Sequence, residues 1–196
     1  SYSVTGVQTC ALPICAMIKL TMEELNRMTP GEFREVPKNP VVIVLDNLRS
    51  QHNTGSIFRS ADAFCAESVC LCGITATPPH REIHKTALGA TETVAWKYYE
   101  TTSEAILALK KRNFTVVGVE QTRHSLPLPA FQPGNCLPIA LVFGNEVNGI
   151  DENVLSLCDL FVEIPQYGTK HSLNVSVSAG IMLWHIVFST HFFKSM

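Results

Sequence analysis

No phosphate-cradling signature occurs in these 196 residues: no G-x-G-x-x-G follows an apolar run, and no G-x-x-x-x-G-K-[ST] occurs anywhere. Those absences exclude the common dinucleotide and triphosphate sites, whose glycines bring backbone N–H groups against phosphate. A G-x-S-x-G elbow for an acyl-transfer nucleophile is missing too. Charge is sparse at 16 %, and 15 Lys+Arg face 17 Asp+Glu. No global positive field therefore advertises a polyanionic partner, and binding of that kind needs a local patch. No apolar run reaches the ~20 residues that cross a bilayer, so the chain is expected to be soluble and cytoplasmic. Seven cysteines include no C-x-x-C pair, which leaves reduced, mostly buried thiols as the expectation. His80 and His84 have the i, i+4 spacing of metal ligands but no nearby third ligand, so no metal is expected.

What is present is apolar residues, at 46 %, enough for one sizeable core. Val4-Thr5-Gly6-Val7-Gln8-Thr9-Cys10-Ala11-Leu12-Pro13-Ile14 reads like the translation of a common short-read sequencing adapter. It lacks the basic start and sustained apolar core of a signal peptide. Residues 1–16 are therefore expected to be a non-native leader, and a continuous native gene through these codons would overturn that reading. Residues 17–40 form an expected helical arm. Thr21-Met22-Glu23-Glu24 and Thr29-Pro30-Gly31-Glu32 have capping-box grammar, and a linker is expected from Pro37 to Pro40.

From Val41 the pattern becomes strands alternating with helices. The run Val41-Val42-Ile43-Val44-Leu45 suits a strand buried on both faces. Further strands are expected at 68–72, 94–98, 114–120, 139–143 and 161–164. Helices are expected at 54–64, 79–88, 103–112, 151–157 and 174–191. The alternation predicts an α/β domain over 41–196 with a mainly parallel sheet flanked by helices. The stretch 121–138 carries four prolines and reads as a long loop, either a binding lid or a surface excursion.

Three clusters sit where strands end. In the first, Asn53 would cap a helix whose Thr54, Ile57, Phe58 and Ala61 make the apolar face, leaving Arg59 pointing away. In the second, the strand Ala140-Leu141-Val142-Phe143 ends in Gly144, where a missing side chain would let a ligand approach the backbone, and Glu146 and Gly149 follow. In the third, Ile164-Pro165 leads through a polar turn to Ser172-Leu173-Asn174 and an apolar helix. Taken alone, the first cluster also fits an Arg59 that merely snorkels at the surface, the second an ordinary strand-turn-helix junction, and the third a good N-cap and nothing more.

Together, Asn53-x-Gly55-x-x-x-Arg59-x-Ala61, Phe143-Gly144-x-Glu146-x-x-Gly149 and Ser172-Leu173-Asn174-Val175-Ser176-Val177 resemble, in order and content, the three motifs of the SpoU (TrmH-like) RNA ribose methyltransferases. The resemblance runs from about Val41 to the C-terminus. It implies a SPOUT fold with a C-terminal deep trefoil knot, S-adenosylmethionine as cofactor, a homodimer, and methyl transfer to a ribose 2'-hydroxyl of tRNA or rRNA. By the same resemblance, Phe143, Gly144, Ile164, Leu173 and Asn174 would cradle the cofactor, with Glu120 and Gln121 lining the pocket. Arg59 matches the catalytic arginine, as a base or as a clamp on the neighbouring phosphate. Asn53 would orient Arg59 or the ribose, and Glu146, Ser172 and Asn174 would form the wall where the substrates meet. Arg49, His52, Arg59, Arg81, His84, Lys85, Lys170 and His171 gather near these loops as a candidate RNA surface. Two alternatives stand beside this reading: a catalytically silent relative that binds RNA or cofactor, and a knotted enzyme acting on a base nitrogen.

Overall fold

The computed structural model describes residues 19–21 and 23–190; the expected leader lies outside the described residues. Among the described residues, seven strands form one sheet: β1 (Asn39–Asp46), β2 (Ala66–Cys72), β3 (Ala95–Tyr99), β4 (Thr115–Val119), β5 (Leu126–Pro127), β6 (Ile139–Phe143) and β7 (Leu160–Glu163). Every pairing is parallel, in the order β3-β2-β1-β6-β4-β7-β5. The α-helices are α1 (Pro30–Glu35), α2 (Gln51–Ala63), α3 (Arg81–Ala87), α4 (Ala90–Thr93), α5 (Thr102–Lys110), α6 (Glu152–Leu155) and α7 (Val175–Ser189).

The central strands are apolar throughout because both faces are covered. Val41, Ile43 and Leu45 of β1 and Ile139, Leu141 and Phe143 of β6 pack on Ile57, Phe58 and Ala61 of α2 and on Met182, Leu183 and Ile186 of α7. The alternate residues, Val42, Val44, Ala140 and Val142, meet Ala105, Ile106 and Leu109 of α5 and Val154 of α6 on the other face. The period-2 geometry of a strand thus divides one apolar run between two cores.

Several details differ from the sequence expectation. Ser50, not Asn53, caps α2: its side chain accepts from Asn53 N at 3.2 Å, which frees the Asn53 amide for other partners. Thr21 and Glu24 exchange their capping-box hydrogen bonds over a single turn, since residues 23–26 do not continue as a helix. Pro40 lies inside β1, at a register irregularity between Asn39 and Val42, the kind of site where a strand tolerates a residue without an N–H. The stretch 121–138 is not structureless. It carries β5 and two 3-10 turns, Leu128–Ala130 and Pro133–Asn135, and is pinned by buried Leu128 and Phe131. Helix α1 lies on the domain through buried Phe33 and through Arg34, which donates to the Glu92 carbonyl.

Two helices meet at closer range than side chains would permit. A Cβ on Gly55 of α2 would fall 2.0 Å from Thr86 Oγ1 and 2.4 Å from the Ile83 carbonyl oxygen, so the motif glycine seats α2 directly on α3. Burial pushes the Cys70 and Cys72 thiols up to about 12 and that of Cys158 to about 11, which keeps them protonated and poor nucleophiles. Among the described residues, no helix is long and apolar enough to cross a membrane, and no three metal-ligating side chains group together.

Candidate active site

The chain leaves β1 for one half of the sheet and returns through β4, β6 and β7 on the other half. In open parallel sheets, ligands bind outside the carboxyl ends of the strands at such a reversal. Here the loops after β4, β6 and β7 enclose a cleft of about 730 Å³, within the range of small-molecule sites. Glu120, Gln121, Phe143, Gly144, Ile164, Leu173 and Asn174, the seven expected cofactor contacts, all line it, as do Glu146, Ser172 and His171.

A run of hydrogen bonds joins the three clusters at its mouth. The Glu146 carboxylate accepts from Arg49 N at 3.0 Å, Ser50 N at 3.1 Å and Asn53 Nδ2 at 3.1 Å. Asn53 Oδ1 in turn accepts from Asn174 Nδ2 at 3.1 Å. Asn174 Oδ1, which caps α7, accepts from Ser176 N at 2.9 Å and Ser176 Oγ at 2.6 Å. Asn53 therefore sits between the other two clusters without lining the cleft.

Burial raises the pKa of Glu146, but the backbone N–H groups of Arg49, Ser50 and its own residue, with the Asn53 amide, outweigh it and hold the carboxyl below its ordinary 4.5. A lowered pKa in the folded state contributes stability that is present above the unfolded value and lost as pH falls through the folded one. Protection of the 49–53 amides against hydrogen exchange, taken relative to the intrinsic rate at each pH, should therefore be high at pH 7 and fall as pH drops below 4.5. In Glu146→Gln these amides should exchange faster at pH 7 and show little of that acid step. An equal acid step in the variant would show that another group holds the loop.

Gly144 has a role different from the one its position suggested. A Cβ there would meet the Gly149 carbonyl carbon at 2.1 Å and Ile150 N at 2.2 Å; the space is filled by the protein's own backbone. The loop folds back on itself: Asn145 and Gly149 exchange N–H···O bonds of 2.9 Å each. Glu120 Oε2 accepts from Ile150 N at 3.2 Å. Gln121 Nε2 donates to the His171 carbonyl at 3.1 Å, tying the loop after β4 to the polar turn before α7.

Arg59 does not line the cleft. It is exposed and belongs to an adjoining depression with Ser56, Ser60, Lys85, Thr86 and Ser176, and it makes no hydrogen bond or ion pair among the described residues. The first turn of α7 separates the two hollows, with Asn174 on the cleft side and Ser176 on the other. The basic surface is interrupted by an acid that the sequence reading overlooked. Glu82 stands 2.7 Å from Lys85 Nζ, 3.1 Å from His52 Nε2 and 4.0 Å from Arg81 Nε. The Lys85 hydrogen bond chiefly holds its carboxyl below the ordinary range. His84 lines a separate cavity with Arg81, whereas Arg49 and Lys170 are exposed near the cleft loops.

Sequence reasoning also missed Asp46 and Asn145. Asp46, at 1 % exposure, accepts from Thr102 Oγ1 at 2.6 Å, Asn47 Nδ2 at 2.9 Å and Asp151 N at 3.0 Å, which anchors the start of α6 to the end of β1. Asn145 donates to the Asn47 carbonyl at 2.7 Å and accepts from Val147 N at 2.9 Å. An acid directly after five apolar residues, and an amide between Gly144 and Glu146, were the available signals.

The cleft is lined by Glu120, Glu146, Glu152 and Glu163 but, among the described residues, by no lysine or arginine. Phe143, Ile164 and Leu173 supply apolar wall. Such a lining suits a small, partly apolar ligand better than a free phosphate. Comparison with known proteins narrows the class. The pattern of the SpoU rRNA Methylase family matches residues 40–184, and the chain belongs to that family. It is 35 % identical over 144 residues to the 23S rRNA (guanosine-2'-O-)-methyltransferase RlmB of Nitrosomonas europaea, covering 74 % of this chain and 54 % of that protein. It is 33 % identical to RlmB of Haemophilus influenzae, covering 84 % and 66 %. The chain thus spans about half to two-thirds of the length of these relatives. Among solved structures, the A. aeolicus TrmH/SpoU tRNA modifying enzyme superposes with a TM-score of 0.74 at 24 % identity, covering 84 % of both chains, and shows the SPOUT fold. The SpoU methyltransferase AviRb of Streptomyces viridochromogenes, solved in complex with the cofactor AdoMet, gives 0.71 at 25 % identity, covering 79 % and 62 %.

Proposed function

We propose that this chain transfers the methyl group of S-adenosylmethionine to a ribose 2'-hydroxyl of tRNA or rRNA. The observation that carries the reading is the hydrogen-bonded run from Glu146 through Asn53 to Asn174 and Ser176, which fixes the three motif clusters beside one cleft. The residues present fit the cofactor. Phe143, Ile164 and Leu173 offer apolar wall for adenine and the thioether carbons, Glu120, Gln121 and Asn174 offer polar partners, and the four acids suit its positive charge. The bound sulfonium supplies an already activated methyl, so the protein's task is alignment.

The same acids repel phosphate, so the RNA backbone is held outside the cleft, where Arg49, Arg59 and Lys170 are exposed. Ser172 and Asn174 line the rim and orient the ribose hydroxyl. Glu146, held ionised by its donors, acts as an anchor and not as a proton carrier. An unpartnered guanidinium offers five donors and no acceptor, which supports Arg59 as the phosphate clamp, with that phosphate taking the hydroxyl proton.

A homodimer belongs to the same reading. Val177, Trp184 and Phe188 of α7 are large apolar side chains left 49 %, 55 % and 47 % exposed, and Phe64 packs edge-on against Trp184. Contiguous exposed apolar surface of this kind marks an interface, and light scattering after gel filtration should return twice the chain mass.

The deciding assay is transfer of radiolabelled methyl into bulk tRNA and rRNA, followed by nuclease digestion and mass spectrometry. Label on ribose is the expected result. Label on the base identifies the nitrogen-methylating alternative, and cofactor binding without transfer to any RNA leaves only the silent relative.

A further inference from the structure

A second cavity, of about 440 Å³, opens beside the edge strand β3, between the turn that starts α3 and helix α4. Trp96, 37 % exposed, lines it with Pro79, His80, Arg81, His84 and Glu92. One wall is thus aromatic and apolar, and the polar groups are chiefly donors. His80 Nδ1 accepts from Glu82 N at 3.3 Å, which in the neutral ring places the proton on Nε2 and leaves that nitrogen to donate. Glu92 is the one acid among the lining residues and can accept from an exocyclic amine. A planar heteroaromatic ring with polar edges, attached to a phosphate, matches this combination; an aliphatic ligand would leave the histidines and arginine unused.

The position agrees with that chemistry. Helix α3, which supplies Arg81 and His84, also supplies Lys85 to the depression that holds Arg59. Its Glu82 contacts His52 of α2 at 3.1 Å, and the next residue, Asn53, is bonded to Glu146 at the cleft. The Trp96 cavity and the Arg59 and Lys85 depression thus flank the same helix α3, and α2, packed on α3, carries Asn53 to the cleft. We infer that the Trp96 cavity holds an unstacked nucleobase of the substrate RNA, a few nucleotides from the methylated ribose, with Trp96 as the stacking platform. This site deepens the RNA reading above and rests on it.

The chain has two tryptophans, so Trp184→Phe leaves Trp96 as the only indole fluorophore. In that background, a 12-nucleotide mixed-sequence oligoribonucleotide should quench the emission, and its abasic counterpart should not. Trp96→Ala should weaken binding of bulk tRNA about tenfold, as loss of one base–aromatic stack does. Trp96→Phe should recover most of the affinity, and both variants should bind S-adenosylmethionine like the parent. Equal quenching by the abasic strand, or tRNA affinity within about twofold of the parent in Trp96→Ala, overturns the inference. If the parent methylates RNA while Trp96 is silent, the cavity assignment alone fails. If the parent binds the cofactor but no RNA, the assignment fails together with the reading on which it rests.

Discussion

Arg59→Ala should reduce methyl transfer to RNA by about 10²- to 10³-fold, the effect of deleting one positioned donor at a reacting centre, while changing cofactor affinity less than about twofold. The two halves of that result come from the geometry. Arg59 stands outside the cleft, in the depression across the first turn of α7, so cofactor binding loses no contact. It has no partner among the described residues, so its removal leaves no buried charge behind and should leave the melting temperature nearly unchanged. Single-turnover transfer and cofactor titration, run on the same preparations, check both halves. Arg59→Lys keeps the charge and loses the fork that grips two phosphate oxygens, and should recover only part of the rate. Turnover within about threefold of the parent in Arg59→Ala would remove this residue from the machinery.

Gly144→Ala should act in the opposite way, on the cleft and on stability together. The added methyl would stand 2.1 Å from the Gly149 carbonyl carbon and 2.2 Å from Ile150 N. Neither atom belongs to a flexible side chain that can swing aside. The loop must open, breaking the paired Asn145 and Gly149 hydrogen bonds and the Glu120 bond to Ile150 N. Overpacking and lost hydrogen bonds together cost about 3 kcal/mol. In a chain of this size that lowers the melting temperature by roughly 6–12 °C. Cofactor affinity should fall more than about tenfold, because Phe143, Gly144 and the 145–150 loop are one wall of the cleft. Calorimetry with and without S-adenosylmethionine measures both effects. A variant that melts and binds like the parent would mean that the turn has another conformation of equal energy.

The strands were legible because a buried parallel strand must be apolar on both faces. Val41 to Leu45 and Ile139 to Phe143 carry that demand without interruption, and the observed β6 has the expected bounds. Short elements were not legible. Helix α4 spans four residues and β5 two, and both exist through packing and pairing that no local pattern encodes. In the cleft, the polar residues at strand ends stood out as clusters, since glycine, amide and carboxylate rarely crowd together inside an apolar fold. Their connections did not. That Asn53 would leave the capping of α2 to Ser50 and bridge Glu146 to Asn174 depends on three chain segments brought together by the sheet. Glu82 escaped notice for a similar reason. Sequence places it among basic neighbours on α3, but only the approach of α2 sets His52 against it.

The tie between Glu146, Asn53 and Asn174 also bears on when the chain becomes active. Its hydrogen bonds join residues 93 and 121 positions apart, and every strand pairing is parallel, which places the site among the most non-local contacts of the fold. Loop closure over such separations is slow and must precede the contacts that reward it. A nascent chain still lacking Asn174 cannot complete the tie, however well β1 and α2 have formed. The first competence to hold cofactor should therefore coincide with global folding, and bound cofactor, acting only on the finished state, shifts that equilibrium toward it.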